Sequence, residues 1–451
     1  MMINERRFPP GFVWGASTSA YQIEGAWNED GRGESIWDRF SHRVGTTRNG
    51  DTGDVAADHY HRMSEDVRLM QELGLTAYRF SISWPRVLPE GRGRVNPAGL
   101  DFYERLVDAL LAANVMPVAA LYHWDLPQAL QEVGGWPNRE IVDYFADYAR
   151  LMFDTLGDRV TVWDTHNEPR VAAFLGYGDG IFAPGIADYT QAYQAAHHLL
   201  LAHGRCVEVY RQGGYGGQIG IILDSEHSLP ASDSEADQYA WQRYYEQDTG
   251  FFADALLKGE YPASLMGWIG PMAPRVLTGD MALISRPIDF LGVNYYRTTR
   301  VAFDPGGGHL KCRATPQTLP MWGYTELGWG IFPSGLTAVL LNFVRRYGNR
   351  PLYLSENGCA TRDVPDDADF VNDVERVDYL RGHIEAAHAA LQAGVDLRGY
   401  FVWSLLDNFE WAEGYTPRFG LVRVDYATQR RTPKRSFTWY RGVIQRNGLA
   451  D

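Results

Sequence analysis

The chain has 451 residues, 45% of them hydrophobic and 22% charged, with a formal net charge of −14 at pH 7. That balance provides for a large apolar core, and the excess of acid excludes nucleic acid and anionic membrane surfaces as partners. Cys206, Cys312 and Cys359 have neither an even number nor metal-ligand spacing, no apolar leader accompanies Arg6 and Arg7, and no run is apolar enough to span a bilayer, so a cytoplasmic protein without disulfides is expected.

In chain order, Phe12 to Ser17 reads as a first strand. Apolar residues at Met63, Val67, Leu69, Met70 and Leu73 predict a helix over 58–73 that Gly74 ends, and a strand follows over 76–81. A helix over 97–113 opens on Pro97, and 115–121 is a near-continuous apolar strand. The alternation continues with a helix over 139–156, a strand over 160–165, a helix over 189–211 and a strand over 218–223. It then runs through a helix over 234–258, a strand over 288–293, a helix over 334–347, a strand over 352–355, a helix over 372–393 and a strand over 397–404. Gly306-Gly307-Gly308 and the stretch to Pro320 read as a long loop. Eight apolar strands separated by helices predict a single α/β domain over 1–451, a parallel (β/α)8 TIM barrel with long βα loops. A doubly wound open sheet is the alternative.

Active sites of such barrels lie at the C-terminal ends of the strands, and the polar candidates collect there. Gln22 follows the first strand, Arg79 lies in the second, His123 and Trp124 end the third, and Asn167 and Glu168 end the fourth. Asn294 and Tyr296 follow the sixth, Glu356 the seventh, and Trp403 ends the eighth with Glu410 and Trp411 beyond it. Taken alone, each glutamate could cap a helix and His123 could be a core residue. Two carboxyls delivered by two strand ends form the arrangement that glycosidic bond cleavage requires. The 14 tryptophans suit a site that stacks on sugar faces, although most are expected to pack the core.

Phe12-x-Trp14-Gly15-x-Ser17-x-Ser19-Ala20-Tyr21-Gln22-x-Glu24-Gly25, Thr165-His166-Asn167-Glu168-Pro169, Leu354-Ser355-Glu356-Asn357-Gly358 and Trp403-Ser404-Leu405-Leu406-Asp407-Asn408-Phe409-Glu410-Trp411 together resemble the signatures of glycoside hydrolase family 1 β-glucosidases. The resemblance runs nearly end to end. It implies a retaining enzyme acting on β-glucosides and oligosaccharides such as cellobiose, with β-galactosidase or β-fucosidase side activity, Glu356 as nucleophile and Glu168 as acid/base. It further implies that Arg79, Asn294 and Tyr296 hold the pKa of Glu356 down, and that Asn167 binds the sugar 2-hydroxyl. Gln22, His123, Glu410 and Trp411 would bind the glycone over a Trp403 platform, with Trp124, Trp329 and Phe419 also in the substrate site. The substrate is a small molecule, and no metal or cofactor is implied.

Alternatives remain at this point. A 6-phospho-β-glycosidase shares the barrel, although Glu410 would repel a phosphate, and a thioglucosidase would carry Gln where Glu168 stands. A barrel that binds sugar without cleaving it would normally have lost one carboxylate. Two positions depart from the family pattern. Arg170 replaces a usual Trp, implying either a preference for polar or longer aglycones or a surface Arg paired with acidic residues. His166 replaces Phe or Leu, implying either an added titrating group or a buried neutral one. Cys359 is expected to be a packed residue.

Overall fold

The computed structural model describes residues 6–450, so the two ends of the span expected as one domain, residues 1–5 and 451, lie outside the described residues. Eight strands form a closed parallel barrel: β1 Val13–Ser17, β2 Ala77–Ser81, β3 Met116–Ala120, β4 Val162–Asn167, β5 Gln218–Asp224, β6 Phe290–Asn294, β7 Leu352–Asn357 and β8 Leu397–Trp403. They pair in chain order, and β8 returns to β1 through Gly399 opposite Val13. The main helices are α1 His59–Leu73, α2 Pro97–Ala112, α3 Ile141–Leu156, α4 Tyr189–Gly213, α5 Glu235–Tyr245, α6 Phe251–Lys258, α7 Pro333–Tyr347, α8 Val374–Gln392 and α9 Arg435–Arg446. The open-sheet alternative is excluded by closure. Local signals act as expected: Gly74 takes φ +80° and ends α1, and Pro97 opens α2, where its missing N–H costs no bond.

Alternating residues of a strand point to opposite faces, and the barrel uses this to build layers. Ala77, Val118, Val162, Phe290 and Phe401, from five different strands, form a small apolar cluster separate from the main core. Two residues further along β2 and β4, Arg79 and Asp164 are buried against each other. The site begins above that charged pair. Outside the barrel, one large apolar cluster runs from Phe8 to Leu449 between strands and helices.

Three stretches differ from the sequence reading. The long loop expected through Gly306 to Pro320 is an antiparallel hairpin, Thr298–Phe303 paired with Cys312–Gln317, with His227–Pro230 added on its inner side. Pro316 is tolerated because it lies on the outer strand, and a Cβ at Gly307 would stand 2.2 Å from the Cys312 carbonyl oxygen, so the turn needs glycine there. The helix expected over 234–258 is divided into α5 and α6 by a π-helical turn, Glu246–Gly250, which turns Asp248 into the protein. Beyond β8, a hairpin of Val422–Asp425 with Arg430–Pro433 precedes α9.

The loop after β8 is held by buried charge. Asp407 accepts from Lys434 Nζ at 2.7 Å and from Arg418 Nη1 at 2.6 Å, and Lys434 also pairs with Asp363, which meets Arg376. Four ionic groups with almost no exposure are tolerable only because each has a partner. The same network fixes the loop that carries Glu410.

Close backbone approach fixes the end of β7. A Cβ at Gly358 would sit 1.7 Å from the Trp403 carbonyl oxygen, which no side-chain adjustment relieves. Gly358→Ala should therefore cost about 1–3 kcal/mol and lower activity by displacing Glu356, measured by denaturant unfolding and turnover. Gly216→Ala, where nothing lies within 4 Å, should be neutral in both.

Candidate active site

The two glutamates arrive by the same device. The β4–β5 register shifts between Asp164 and Asn167, and the β7–β6 register shifts between Leu354 and Glu356. These bulges carry both strands two residues beyond the ends read from apolar periodicity, and they re-aim the residues that follow. Glu356 lies inside β7, and Glu168 directly follows β4 with φ +48°. Trp124 and Trp411 also take positive φ, at +76° and +52°. Left-handed backbone at a non-glycine costs about 1 kcal/mol each, and here three instances share one cavity.

Arg79 is the hub below them. Its Nη1 donates to Glu356 Oε1, its Nη2 to Asn167 Oδ1 and its Nε to Asp164 Oδ2, each at 2.8 Å. The Tyr296 hydroxyl donates to Glu356 Oε2 at 2.8 Å. Glu168 Oε1 accepts from Asn294 Nδ2 at 2.6 Å, and Asn294 Oδ1 is fixed by the Ser355 hydroxyl at 2.8 Å. Burial raises the proton affinity of both carboxyls. For Glu356 that push is opposed by Arg79, Tyr296 and Asn294, so the expectation that these partners alone would hold its pKa down is corrected: they restrain a rise. For Glu168 burial is reinforced by the Asp224 and Glu356 charges, and its pKa goes well above the ordinary carboxylate value. Glu356 therefore ionises first.

A concave cavity open to solvent lies above them. It is lined by His123, Trp124, Glu168, Asn294, Tyr296, Trp329, Glu356, Trp403, Glu410, Trp411 and Phe419, all singled out from the sequence. Gln22, Asn167 and Arg79 do not line it; they lie one layer behind, fully or almost fully buried. Gln22 Nε2 donates to Asn408 Oδ1 at 2.9 Å and to Glu410 Oε2 at 3.3 Å, with its Oε1 held by Ser19. Asn167 Nδ2 donates to His123 Nε2 at 3.1 Å, which leaves His123 neutral; burial and then Arg79 hold its pKa well below the usual value. Burial followed by the Glu356 charge pushes Glu410 up to about 8, so near pH 7 it is largely protonated and would repel a phosphate less than its formal charge suggests.

The aromatic walls have distinct roles. Trp403 stacks with His123 at 5.8 Å, and Trp411 stacks with Tyr21 at 6.0 Å and packs against Trp37 and Trp124. Trp124 donates its indole N–H to the Asn167 carbonyl at 2.9 Å, so it supplies a wall and no free donor. Trp329 lies between Tyr296 and the Arg297 guanidinium.

Sequence reasoning missed the far wall: Val171, Leu175, Phe182, Asp224, Ser225, Glu226 and Arg297. Asp224 ends β5 and was reachable by the strand-end rule, whereas Phe182 sits in an irregular loop that carries no such signal. Of the two readings for Arg170, pairing with acids matches the geometry, although the residue is half-buried at the cavity wall and not superficial: it meets Asp224 and Asp248. Cys359 is packed as expected, and burial pushes its thiol up to about 12.

His166 points out of the barrel. It stacks on Phe145 at 4.5 Å and lies edge-on to Tyr122 and Trp136, and burial, then His203, keep its pKa well below the ordinary value. The unfolded chain takes up a proton near pH 6.5 that the folded chain refuses, so this site lowers stability as pH falls below that value. His166→Leu should leave the pH dependence of turnover unchanged and reduce the loss of melting temperature between pH 7.5 and pH 5. A displaced pH–rate limb would show that the ring titrates with the site.

The match to the family model described as Glycosyl hydrolase family 1 covers residues 4–449. Beta-glucosidase A of Thermotoga maritima is 48% identical over the whole of both chains, and Beta-glucosidase A of Acetivibrio thermocellus is 46% identical over 98% of this chain and 99% of its own. The solved family 1 β-glucosidase from Thermotoga maritima superposes with a TM-score of 0.96 over 99% of this chain and all of its own. The same Thermotoga protein has been solved in complex with deoxynojirimycin, at a TM-score of 0.95. With the family model spanning nearly every residue and these barrels superposing from end to end, the chain belongs to glycosyl hydrolase family 1.

Proposed function

We propose that the protein is a retaining β-glucosidase that removes terminal non-reducing β-D-glucosyl residues from oligosaccharides such as cellobiose and from β-glucosides. The observation that carries this reading is the unequal setting of two buried glutamates in one cavity. Glu356 is clasped by a guanidinium and a phenol, and Glu168 by one amide beside repelling carboxylates. Such a split assigns the ionised partner and the protonated one. The names of the relatives point to the same activity.

In the first step Glu356 attacks the anomeric carbon while the bond to the aglycone oxygen breaks, and Glu168 gives that oxygen its proton. The new ester removes the Glu356 charge, so the pKa of Glu168 falls and it becomes a base. In the second step water attacks the same carbon, Glu168 takes its proton, and the β-anomer leaves with Glu356 ionised again. His123, Glu410 and Trp411 bind the glycone hydroxyls above Trp403; Asn167, held behind them by Arg79 and His123, is the residue that the family resemblance assigns to the 2-hydroxyl, and Gln22 steadies Glu410. Trp124, Trp329 and Phe419 bound the space around and beyond that ring. Epimeric glycones that keep most of these bonds, such as galactosides and fucosides, are expected side substrates.

We further take residues 1–451 as one catalytic domain, on the strength of the continuous core from Phe8 to Leu449, and as cytoplasmic, on the strength of three unpaired cysteines. Among the described residues no helix is long and apolar enough to cross a membrane.

Release of nitrophenol from 4-nitrophenyl β-D-glucoside, beside its 6-phosphate, tests the assignment. Turnover of the plain glucoside should fall about 10³-fold or more in Glu356→Gln, with little turnover of the phosphate; preference for the phosphate would overturn the glycone assignment. Tyr296→Phe removes a bond that favours ionised Glu356, raises its pKa, and should move the acidic limb of kcat/KM up by about one pH unit.

A further inference from the structure

We infer that Arg170 is a positioning residue for the acid/base: its guanidinium, held between Asp224 and Asp248, screens Glu168 from the Asp224 carboxylate and so lets Glu168 stand ionised to take the proton of water in the second step. This rests on the assignment of Glu168 given above. Arg170 stands two residues after Glu168 and directly precedes a π-helical segment, Val171–Gly178. Its Nε reaches Asp224 Oδ2 at 2.5 Å and Asp248 Oδ1 at 3.2 Å, and its Nη2 also meets Asp224. The π-helical turn at Glu246–Gly250 presents the second of these carboxylates. Two local departures from α-helix thus converge on one ion-pair cluster.

The side chains of Arg170, Asp224 and Asp248 are 16%, 10% and 7% exposed, so their charges act through protein more than through water. Asp224 ends β5 opposite Asn294, whose amide holds Glu168. The groups that face Glu168 are Glu356 from β7, Asn294 and Tyr296 from the end of β6, Asp224 from β5, and Arg170 beyond β4. Beyond them stands the pair Glu226–Arg297, with Glu226 also held by the Tyr244 and Thr299 hydroxyls. Asp224 is the largest charge pushing the Glu168 pKa up, ahead of Glu356, and Arg170 pulls it down. Burial pushes the Asp248 carboxyl up, against the pull of Arg170.

The two steps make opposite demands. Glu168 must hold a proton in the first and be ionised in the second, and an unscreened Asp224 favours the protonated form in both. Losing the Arg170 charge would therefore spare the first step and slow the second. The contacts also argue against Arg170 acting chiefly as an aglycone donor, because the two nitrogens that face the cluster are engaged by carboxylates.

The test is the pH dependence of kcat for 2,4-dinitrophenyl β-D-glucoside, whose departing phenolate needs no proton, so that the second step limits turnover. Arg170→Gln should move the ascending limb up by about one pH unit, Asp224→Asn should move it down, and Arg170→Lys should restore most of the wild-type position. kcat/KM for the same substrate, which reports the first step, should change little, because KM falls with kcat when the second step is slowed. An Arg170→Gln limb that coincides with wild type, with only the KM for cellobiose raised, would overturn the inference in favour of an aglycone contact. A uniform loss at all pH values that Lys does not rescue would overturn it in favour of simple structural support. Glu168→Gln is the control: if it leaves the limb in place, the acid/base assignment fails, and this inference with it.

Discussion

The Arg79 guanidinium is the constraint on which the site depends. It is buried at the level where the apolar filling of the barrel stops, and it has three acceptors on two other strands: Asp164 and Asn167 on β4 and Glu356 on β7. A charge in that position is tolerable only while those partners stay within reach, so the strands that carry them are tied to β2 and to each other. The guanidinium that steadies Glu356 through Nη1 also fixes, through Nη2, the side chain of Asn167, the residue before Glu168. Fold and chemistry thus share one set of hydrogen bonds.

From that hub the electrostatic design spreads outwards. Glu356 faces the guanidinium, while Glu168 faces carboxylates on two sides and one amide. Burial alone would make both carboxyls neutral and useless as a nucleophile; the unequal distribution of partners turns a shared penalty into a difference. The loop after β8 completes the cavity from the other side, where the buried Lys434–Asp407 pair holds the segment that carries Glu410.

Much of this was legible in the sequence. Apolar strands alternating with helices gave the barrel, because a strand covered on both faces has no other periodicity to show. The strand-end rule placed nine of the cavity-lining residues, since chemistry in this architecture collects at one face, and the family resemblance added Trp329 and Phe419. The limits have physical causes. The bulges in β4 and β7 have no apolar signature, so both strands read short. The hairpin at Thr298–Phe303 was hidden by a Gly triplet and prolines that mark its turn and outer edge. Arg170 was visible as a departure, but its partners Asp224 and Asp248 come from β5 and from a π-helical turn, and only the folded chain brings them together. The direction of His166 followed from the register of β4 past its bulge, which periodicity does not reveal.

The central claim is that Glu356 forms a covalent bond to the sugar. Incubation with 2,4-dinitrophenyl 2-deoxy-2-fluoro-β-D-glucoside tests it most directly, because the fluorine slows both steps by destabilising the oxocarbenium-like transition state while the good leaving group restores the first. Peptide mass spectrometry should then find one fluoroglucosyl group, on the peptide containing Glu356, and none in Glu356→Gln. A label on Glu168 or Asp224, or turnover that releases the α-anomer first with no labelled peptide, would contradict the mechanism.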